Sequence, residues 1–447
     1  MKKKKYAVIG VSGRAYGMFM DPLIDTYHHH VTLVAMLDPD SRRMEEYNRS
    51  RKCTIPQYQP EQFDKMVKET QPDVIIVACQ DSLHHYYIIK ALKYNIDVIS
   101  EKPLTTDVEK CSQIMRAQAE SSAEVTVTFN LRYTPATTKI KELVTADKIG
   151  RVVSVDLNWY LDTHHGASYF QRWNRMRSSS GGLNIHKSCH HLDLVHWFID
   201  QTPEEIFAYG KRNFYGSEGF HNPLTKDQIG DGRTCDDCDV RMKCPYFMRW
   251  FRNELRESAH KSAPQEMSDT RDINLIYDNY SRRQCLFDPE IDIEDTYSAV
   301  IKYDGGALLN YSVNCSVPYE GFRLALNGTL GRIEYKELHA PERIPFPTES
   351  SLPSITYIPM FGARETIDVI NSTGDHGGGD PLILDELLVP EITLDENLNQ
   401  KAGLKEGICA VLTGHAIYES IKNNKPVKMK SLWEQVYPKT STTKQNT

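Results

Sequence analysis

Tyr6-Ala7-Val8-Ile9-Gly10-Val11-Ser12-Gly13-Arg14-Ala15-Tyr16-Gly17 is the stretch on which the reading of this chain turns. The apolar run predicts a buried strand, and Gly10 predicts a tight turn into a helix. Against the dinucleotide fingerprint G-x-G-x-x-G/A, Gly10 and Ala15 fit, while Ser12 stands at the second glycine. A small residue there still lets backbone approach a pyrophosphate, with Gly13 and Arg14 beside it. Further on, Val31 to Leu37 predicts a second strand, closed by Asp38. An acid at that point accepts hydrogen bonds from the adenosine ribose hydroxyls and repels a 2′-phosphate, so NAD is favoured over NADP. Arg42 and Arg43 lie near enough to soften that preference. The competing reading makes Asp38 a helix cap within Asp38-Pro39-Asp40-Ser41. Later, Ile96-Asp97-Val98-Ile99-Ser100 predicts another buried strand, with Glu101-Lys102-Pro103 directly behind it. That places a lysine at the carboxyl edge of the sheet, where ligands of open α/β sheets bind. The combination predicts a nicotinamide-dependent enzyme acting on an alcohol.

Strand candidates at 6–11, 32–37, 74–79, 96–100 and 124–129 alternate with helical patterns at Pro60–Thr70, Leu83–Tyr94 and Asp107–Glu120. This alternation predicts an N-terminal Rossmann-type parallel sheet with right-handed crossovers, over residues 1–131. After residue 131 the apolar period changes to two, as in Val152 to Trp159 and Tyr297 to Tyr303. Asp304-Gly305-Gly306 reads as a hairpin turn, with Ala307 to Val313 as the return strand. A second, α+β domain over 132–437 follows, built on a large open, mainly antiparallel sheet. One face of it is expected to be packed and the other to face the nucleotide domain. Residues 214–290 are polar and irregular and read as an insertion. Leu404 to Asn423 reads as the last long helix, and a tail over 438–447 reads as disordered.

The strand and turn at Gly10, Asp38, Glu101-Lys102-Pro103 and the later segment Gly181-Gly182-Leu183-Asn184-Ile185-His186-Lys187-Ser188-Cys189-His190-His191-Leu192-Asp193 together resemble the glucose-fructose oxidoreductase/inositol dehydrogenase (Gfo/Idh/MocA) family. The resemblance covers roughly residues 5–335, with a weaker match beyond. It implies hydride transfer between NAD(P) and a sugar, polyol or related alcohol. The family's catalytic set is a lysine from E-K-P and a D-x-x-x-H pair. Lys102 matches the lysine and His190 the histidine, but His186 stands where the aspartate is expected. The sequence is similar there to a subgroup with H-K-x-x-H-H.

The chemistry of these residue types agrees with that assignment. Removing hydride from an alcohol carbon requires its hydroxyl proton to leave, which calls for a base of near-neutral pKa such as His190. The Lys102 ammonium would stabilise alkoxide character on the substrate oxygen. His186 would orient or polarise. The alternative is that His186, His190 and His191 are structural histidines of a helix whose apolar stripe is Leu192, Val195, Trp197 and Phe198; Asp193 reads as a capping or pairing residue. Cys79, His84, Glu101 and Lys102 complete the cofactor-binding set. Candidate substrate contacts are Asn130, Arg132, Tyr133, His165, Tyr169, Arg172, Trp173 and His191, a mixture of donors and aromatic plates suited to a sugar-like ligand. The loop Asp375-His376-Gly377-Gly378-Gly379-Asp380 reads as a closing loop or an ordinary surface turn.

A chain of 447 residues exceeds one ordinary core, which is why two domains are expected. The net charge of −7 and the lack of a basic stripe argue against a nucleic-acid partner. No apolar run approaches the ~18 residues of a membrane span, and the lysine-led start has no signal-peptide pattern behind it. A cytoplasmic location is expected, with a homodimer or homotetramer formed through the open sheet. Most of the ten cysteines read as small hydrophobes. Cys235-x2-Cys238-x5-Cys244 stands apart, with metal-ligand spacing. Cys285 is the candidate fourth ligand, His260 the reserve, and a structural zinc the expected ion; an iron–sulfur cluster and free thiols are the alternatives. Three functions remain in play: a dehydrogenase of a sugar, polyol or glycoside; a redox-neutral glycoside-cleaving enzyme using transient oxidation; and a non-catalytic sugar or NAD sensor.

Overall fold

The structure, a computed structural model, describes residues 3–437 except 231, 250–283, 341–343, 345–353, 371–375 and 393–394. His260, Asp375 and the tail 438–447 lie outside the described residues.

The first sheet contains β1 (Lys4–Ile9), β2 (Val31–Leu37), β3 (Gln57–Tyr58), β4 (Val74–Val77), β5 (Asp97–Ser100) and β6 (Val125–Val127). They pair in parallel in the order β3-β2-β1-β4-β5-β6. This is the doubly wound dinucleotide order, with its switch point between β1 and β4. Buried on both faces, these strands are almost continuously apolar; Val74–Val77 is buried throughout. Helix starts follow capping chemistry. Asp40 accepts from the Arg42 amide at the head of Ser41–Arg51, and Asp107 accepts from the Lys110 amide at the head of Val108–Gln118. The cap of the first of these helices is therefore Asp40, which leaves Asp38 to another task.

The second sheet contains β7 (Val152–Asp162), β8 (Pro203–Lys211), β9 (Thr296–Tyr303), β10 (Leu308–Val317), β11 (Glu320–Gly328), β12 (Gly331–His339), β13 (Ser354–Pro359) and β14 (Glu365–Asp368). It is antiparallel except for the β7–β10 pair. Burial alternates residue by residue along β9 and β10, so one face is covered. The helices Ser188–Ile199 and Leu404–Asn423 pack there. The opposite face does not lie against the nucleotide domain as expected: Tyr209, Val300 and Leu308 are exposed on it. The chain end joins both sheets. β15 (Ala402–Gly403) pairs antiparallel with β6, and β16 (Val427–Lys428) pairs with β8.

Candidate active site

The first turn is built by exclusion of side chains. Gly10 has φ +87°, and a Cβ there would lie 2.5 Å from Cys79 Cα. The turn thus presses its backbone against the exit of β4, a cradle only glycine permits. Ser12 caps the following helical segment, its Oγ accepting from the Ala15 amide at 3.2 Å. Asp38 is fully buried. Its Oδ2 accepts from the Val11 amide at 2.7 Å and its Oδ1 from the Asp40 amide at 2.8 Å. The acid at the end of β2 therefore locks the glycine turn. Arg42 pairs with Asp40 on the surface, and Arg43 is buried 3.8 Å from Asp38. His84 ties two strand exits together, with Nδ1 2.8 Å from Pro103 O and Nε2 3.1 Å from Cys79 O.

Three adjacent strands, β4, β5 and β6, deliver the reactive groups at their carboxyl ends. Beyond β5, Glu101 accepts from Arg14 Nε at 2.8 Å and from the Lys102 amide at 3.0 Å, which fixes the lysine's backbone. The Lys102–Pro103 peptide is cis. Lys102 Nζ donates to the carbonyl of His186 at 3.1 Å. Beyond β4, Asp81 is buried and 2.5 Å from His186 Nδ1. Beyond β6, Phe129 packs edge-on against His190, a buried side chain of the helix Ser188–Ile199. The hydrogen bonds thus connect Lys102, Asp81 and His186, and His190 packs at the neighbouring strand exit.

Asp81 and Asn174 were not among the sequence candidates. Asn174 Nδ2 lies 3.2 Å from His186 Nε2, so the imidazole donates to Asp81 and accepts from Asn174. Burial, then the Lys102, Arg172 and Lys187 charges, hold His186 well below the usual histidine range. Burial pushes the Asp81 carboxyl up to about 7. Trp173 and Tyr169 stand edge-on to the His186 ring at 5.6 and 5.4 Å. His165 Nε2 is 2.9 Å from the Tyr169 hydroxyl, and His165 Nδ1 is 2.7 Å from Glu320. Arg172 folds over Tyr169 and bonds Ser168. His165, Tyr169, Arg172 and Trp173 therefore form one wall against His186.

Other sequence candidates are engaged elsewhere. Arg132 is buried in a bidentate pair with Asp193 and donates to the Asn399 carbonyl, which spends its guanidinium on the interior. His191 is buried, stacked on Trp159 at 3.7 Å, with Nδ1 2.7 Å from the Tyr311 hydroxyl; it faces the second sheet. Tyr133 bonds Glu386. Arg14 bridges Glu101 and Asp380, and Asn130 Nδ2 donates to Asp380 at 2.5 Å. The loop ending at Asp380 is thereby clamped to the first turn.

The four cysteines of the insertion gather. Cys235, Cys238, Cys244 and Cys285 line one cavity of about 20 Å³ with Leu224, Phe247 and Phe287. Among the described residues, no three His, Cys, Asp or Glu side chains already stand in an arrangement that grips an ion.

Fold and site define an NAD-binding oxidoreductase. Residues 4–129 match "Oxidoreductase family, NAD-binding Rossmann fold", and residues 141–429 match "Oxidoreductase family, C-terminal alpha/beta domain". The chain belongs to the Gfo/Idh/MocA oxidoreductase family. It is 44% identical over 433 residues to YteT of Bacillus subtilis (strain 168), a protein named as an oxidoreductase, covering 96% of this chain and 99% of that one. It is 24% identical over 221 residues to the 2,7-anhydro-N-acetylneuraminate hydratase of Escherichia coli (strain K12), covering 48% of this chain and 55% of that protein. The fold matches the WlbA dehydrogenase of Bordetella pertussis, solved with NADH and UDP-GlcNAcA, with TM-score 0.61 at 14% identity over 96% of this chain and 99% of that one.

Proposed function

We propose that the protein is an NAD-dependent dehydrogenase that oxidises a secondary alcohol of a sugar, polyol or glycoside. The observation that carries this reading is the convergence of Lys102, Asp81 and His186 at the carboxyl ends of β4 and β5, beside the glycine turn. The residues present fit NAD. The Gly10 turn leaves room for backbone approach, and Asp38 supplies the ribose acceptor and opposes a 2′-phosphate. When bound, NAD supplies the hydride acceptor.

Lys102 holds a positive charge where alkoxide character develops. His190 takes the hydroxyl proton. His186 acts as a positioning residue: its carbonyl holds the Lys102 ammonium, and its ring is held by Asp81 and Asn174. The wall of His165, Tyr169, Arg172 and Trp173 offers a sugar-like substrate stacking surfaces and donors. A homodimer or homotetramer through the sheet face bearing Tyr209, Val300 and Leu308, and a cytoplasmic location, complete the reading. Among the described residues, no helix is long and apolar enough to cross a membrane.

A second reading is redox-neutral cleavage, in which oxidation, elimination and re-reduction follow one another on the same sugar. The hydratase relative favours it, as does the replacement of the expected aspartate by a neutral histidine. One experiment separates the two: the protein is incubated with NAD and a panel of polyols, aldoses and glycosides while NADH absorbance and product release are followed together. NADH accumulating with one compound is the expected result. Product release without net NADH establishes the second reading, and no turnover of any compound defeats both.

A further inference from the structure

We infer that Cys235, Cys238, Cys244 and Cys285 bind a single zinc ion, and that this ion braces the active-site wall. Four thiols from two chain segments, 41 positions apart between Cys244 and Cys285, line a cavity of about 20 Å³. That is room for one occupant of atomic size. The rest of the lining is largely apolar, which suits a sulfur-bound ion better than a water needing several polar partners.

The backbone is arranged for this grouping. The Cys285 amide donates to the Arg233 carbonyl at 2.7 Å, and Thr234 and Gln284 form an antiparallel bridge. These two contacts bring Cys285 beside the Cys235–Cys238 knuckle. An amide points at sulfur: Phe287 N donates to Cys285 Sγ at 3.4 Å. Such N–H···S bonds favour thiolates, the form a zinc ligand requires. Four thiolates in one apolar cavity repel one another unless a cation sits among them. Binding of the ion displaces the thiol protons to solvent and draws the sulfurs in.

The bracing follows from one contact. The Cys285 carbonyl accepts from Arg175 Nη1 at 3.2 Å, and Arg175, fully buried, also pairs with Asp288. Arg175 ends the short helix Trp173–Arg175, whose Asn174 and Trp173 contact His186. The cysteine cluster is thus two residues from the active-site wall. That catalytic consequence rests on the dehydrogenase reading; the metal itself does not.

The test uses the full-length untagged chain, purified without added metal and measured by elemental mass spectrometry. About one zinc per chain is expected. Cys238→Ser and Cys285→Ser should each lose it, while Cys53→Ser, remote from the cluster, and His28→Ala, in the surface run His28-His29-His30, should keep it. Protein grown with cobalt in place of zinc should show the intense sulfur-to-cobalt and ligand-field bands of a tetrahedral thiolate site, a readout that needs no variant to fold. Metal-free wild-type protein overturns the proposal, as does iron with acid-labile sulfide, or zinc that leaves with the surface histidine and not with the cysteines. Removal of the zinc by a chelator should lower kcat on whichever alcohol is turned over and leave NAD affinity unchanged. Full activity of the zinc-free chain would sever the bracing from the site.

Discussion

At the scale of single residues, the site depends on how one proton is shared. In the proposed mechanism Lys102 is the charged group that stabilises the reacting oxygen, so Lys102→Ala should lower kcat about 10²–10³-fold while NAD still binds, as checked by steady-state kinetics and NAD titration. The Asp81–His186 pair makes a different prediction. In the folded protein the histidine is neutral and the acid is protonated up to about pH 7, so the pair holds one proton. In the unfolded chain between about pH 4 and 6.5 the acid is ionised and the imidazole charged, again one proton. Folding then takes up no net proton at this pair, and its contribution to stability is flat across that window. Asp81→Asn removes the balance. Burial and the Lys102, Arg172 and Lys187 charges still keep His186 neutral in the folded state, while the unfolded chain binds a proton below about pH 6.5. Stability of the variant should fall as pH is lowered below about 6.5, by up to about 1.4 kcal/mol per pH unit more than wild type. Denaturant titrations of both proteins from pH 7 to 5 check it; parallel curves would show that the pair does not share a proton in this way.

At the scale of elements, the glycine turn and the end of β2 act as one device. Gly10→Ala forces a Cβ to within 2.5 Å of Cys79 Cα at φ +87°. It should cost about 1–3 kcal/mol of stability and weaken NAD binding, measured by denaturation and by titration. Asp38→Ala removes the acceptor of the Val11 amide and the charge proposed to face the ribose, so it should weaken NAD and narrow the preference over NADP by about tenfold. An unchanged preference would leave Asp38 as a turn anchor only. These elements were legible in the sequence because their causes are local: buried strands read as apolar runs, and Gly10 and Asp38 sit at the ends of such runs. Lys102 was legible for the same reason. Asp81 was not, because its role exists only through His186, 105 positions away. An acid directly past a buried strand was the available signal. Arg132 and His191 were read as substrate contacts because a polar side chain near a site has no sequence mark of the direction it faces. Arg132 turns inward to Asp193, and His191 lies flat on Trp159. The strand Ala402–Gly403 was missed because two residues carry no periodicity; it forms only where β6 offers an edge.

At the scale of the molecule, the chain end holds the two sheets in one relation. β15 completes the edge of the first sheet, β16 the edge of the second, and the helix Leu404–Asn423 runs between them. That helix also touches the segment that carries His186. Asn184 Nδ2 donates to the Gly414 carbonyl at 2.6 Å, and a Cβ on Gly414 would lie 2.2 Å from the Asn184 carbonyl oxygen. Asn184 sits two residues before His186 in the short helix Leu183–His186, whose last carbonyl holds Lys102 Nζ. The close approach is therefore set by helix-to-helix packing, and its consequence is felt at the lysine. Gly414→Ala has no backbone strain of its own, yet it must push the two helices apart. It should cost about 1–3 kcal/mol as overpacking does, and lower kcat more than it raises KM, because the displaced carbonyl loosens Lys102 and not the substrate wall. Gly17→Ala is the matched control: nothing lies within 4 Å of its Cβ position, so it should be neutral or stabilise by up to about 1 kcal/mol with kcat unchanged. Denaturation and kinetics on both variants decide the matter. A Gly414→Ala protein that is destabilised but fully active would show that the terminal helix supports the fold without positioning the lysine.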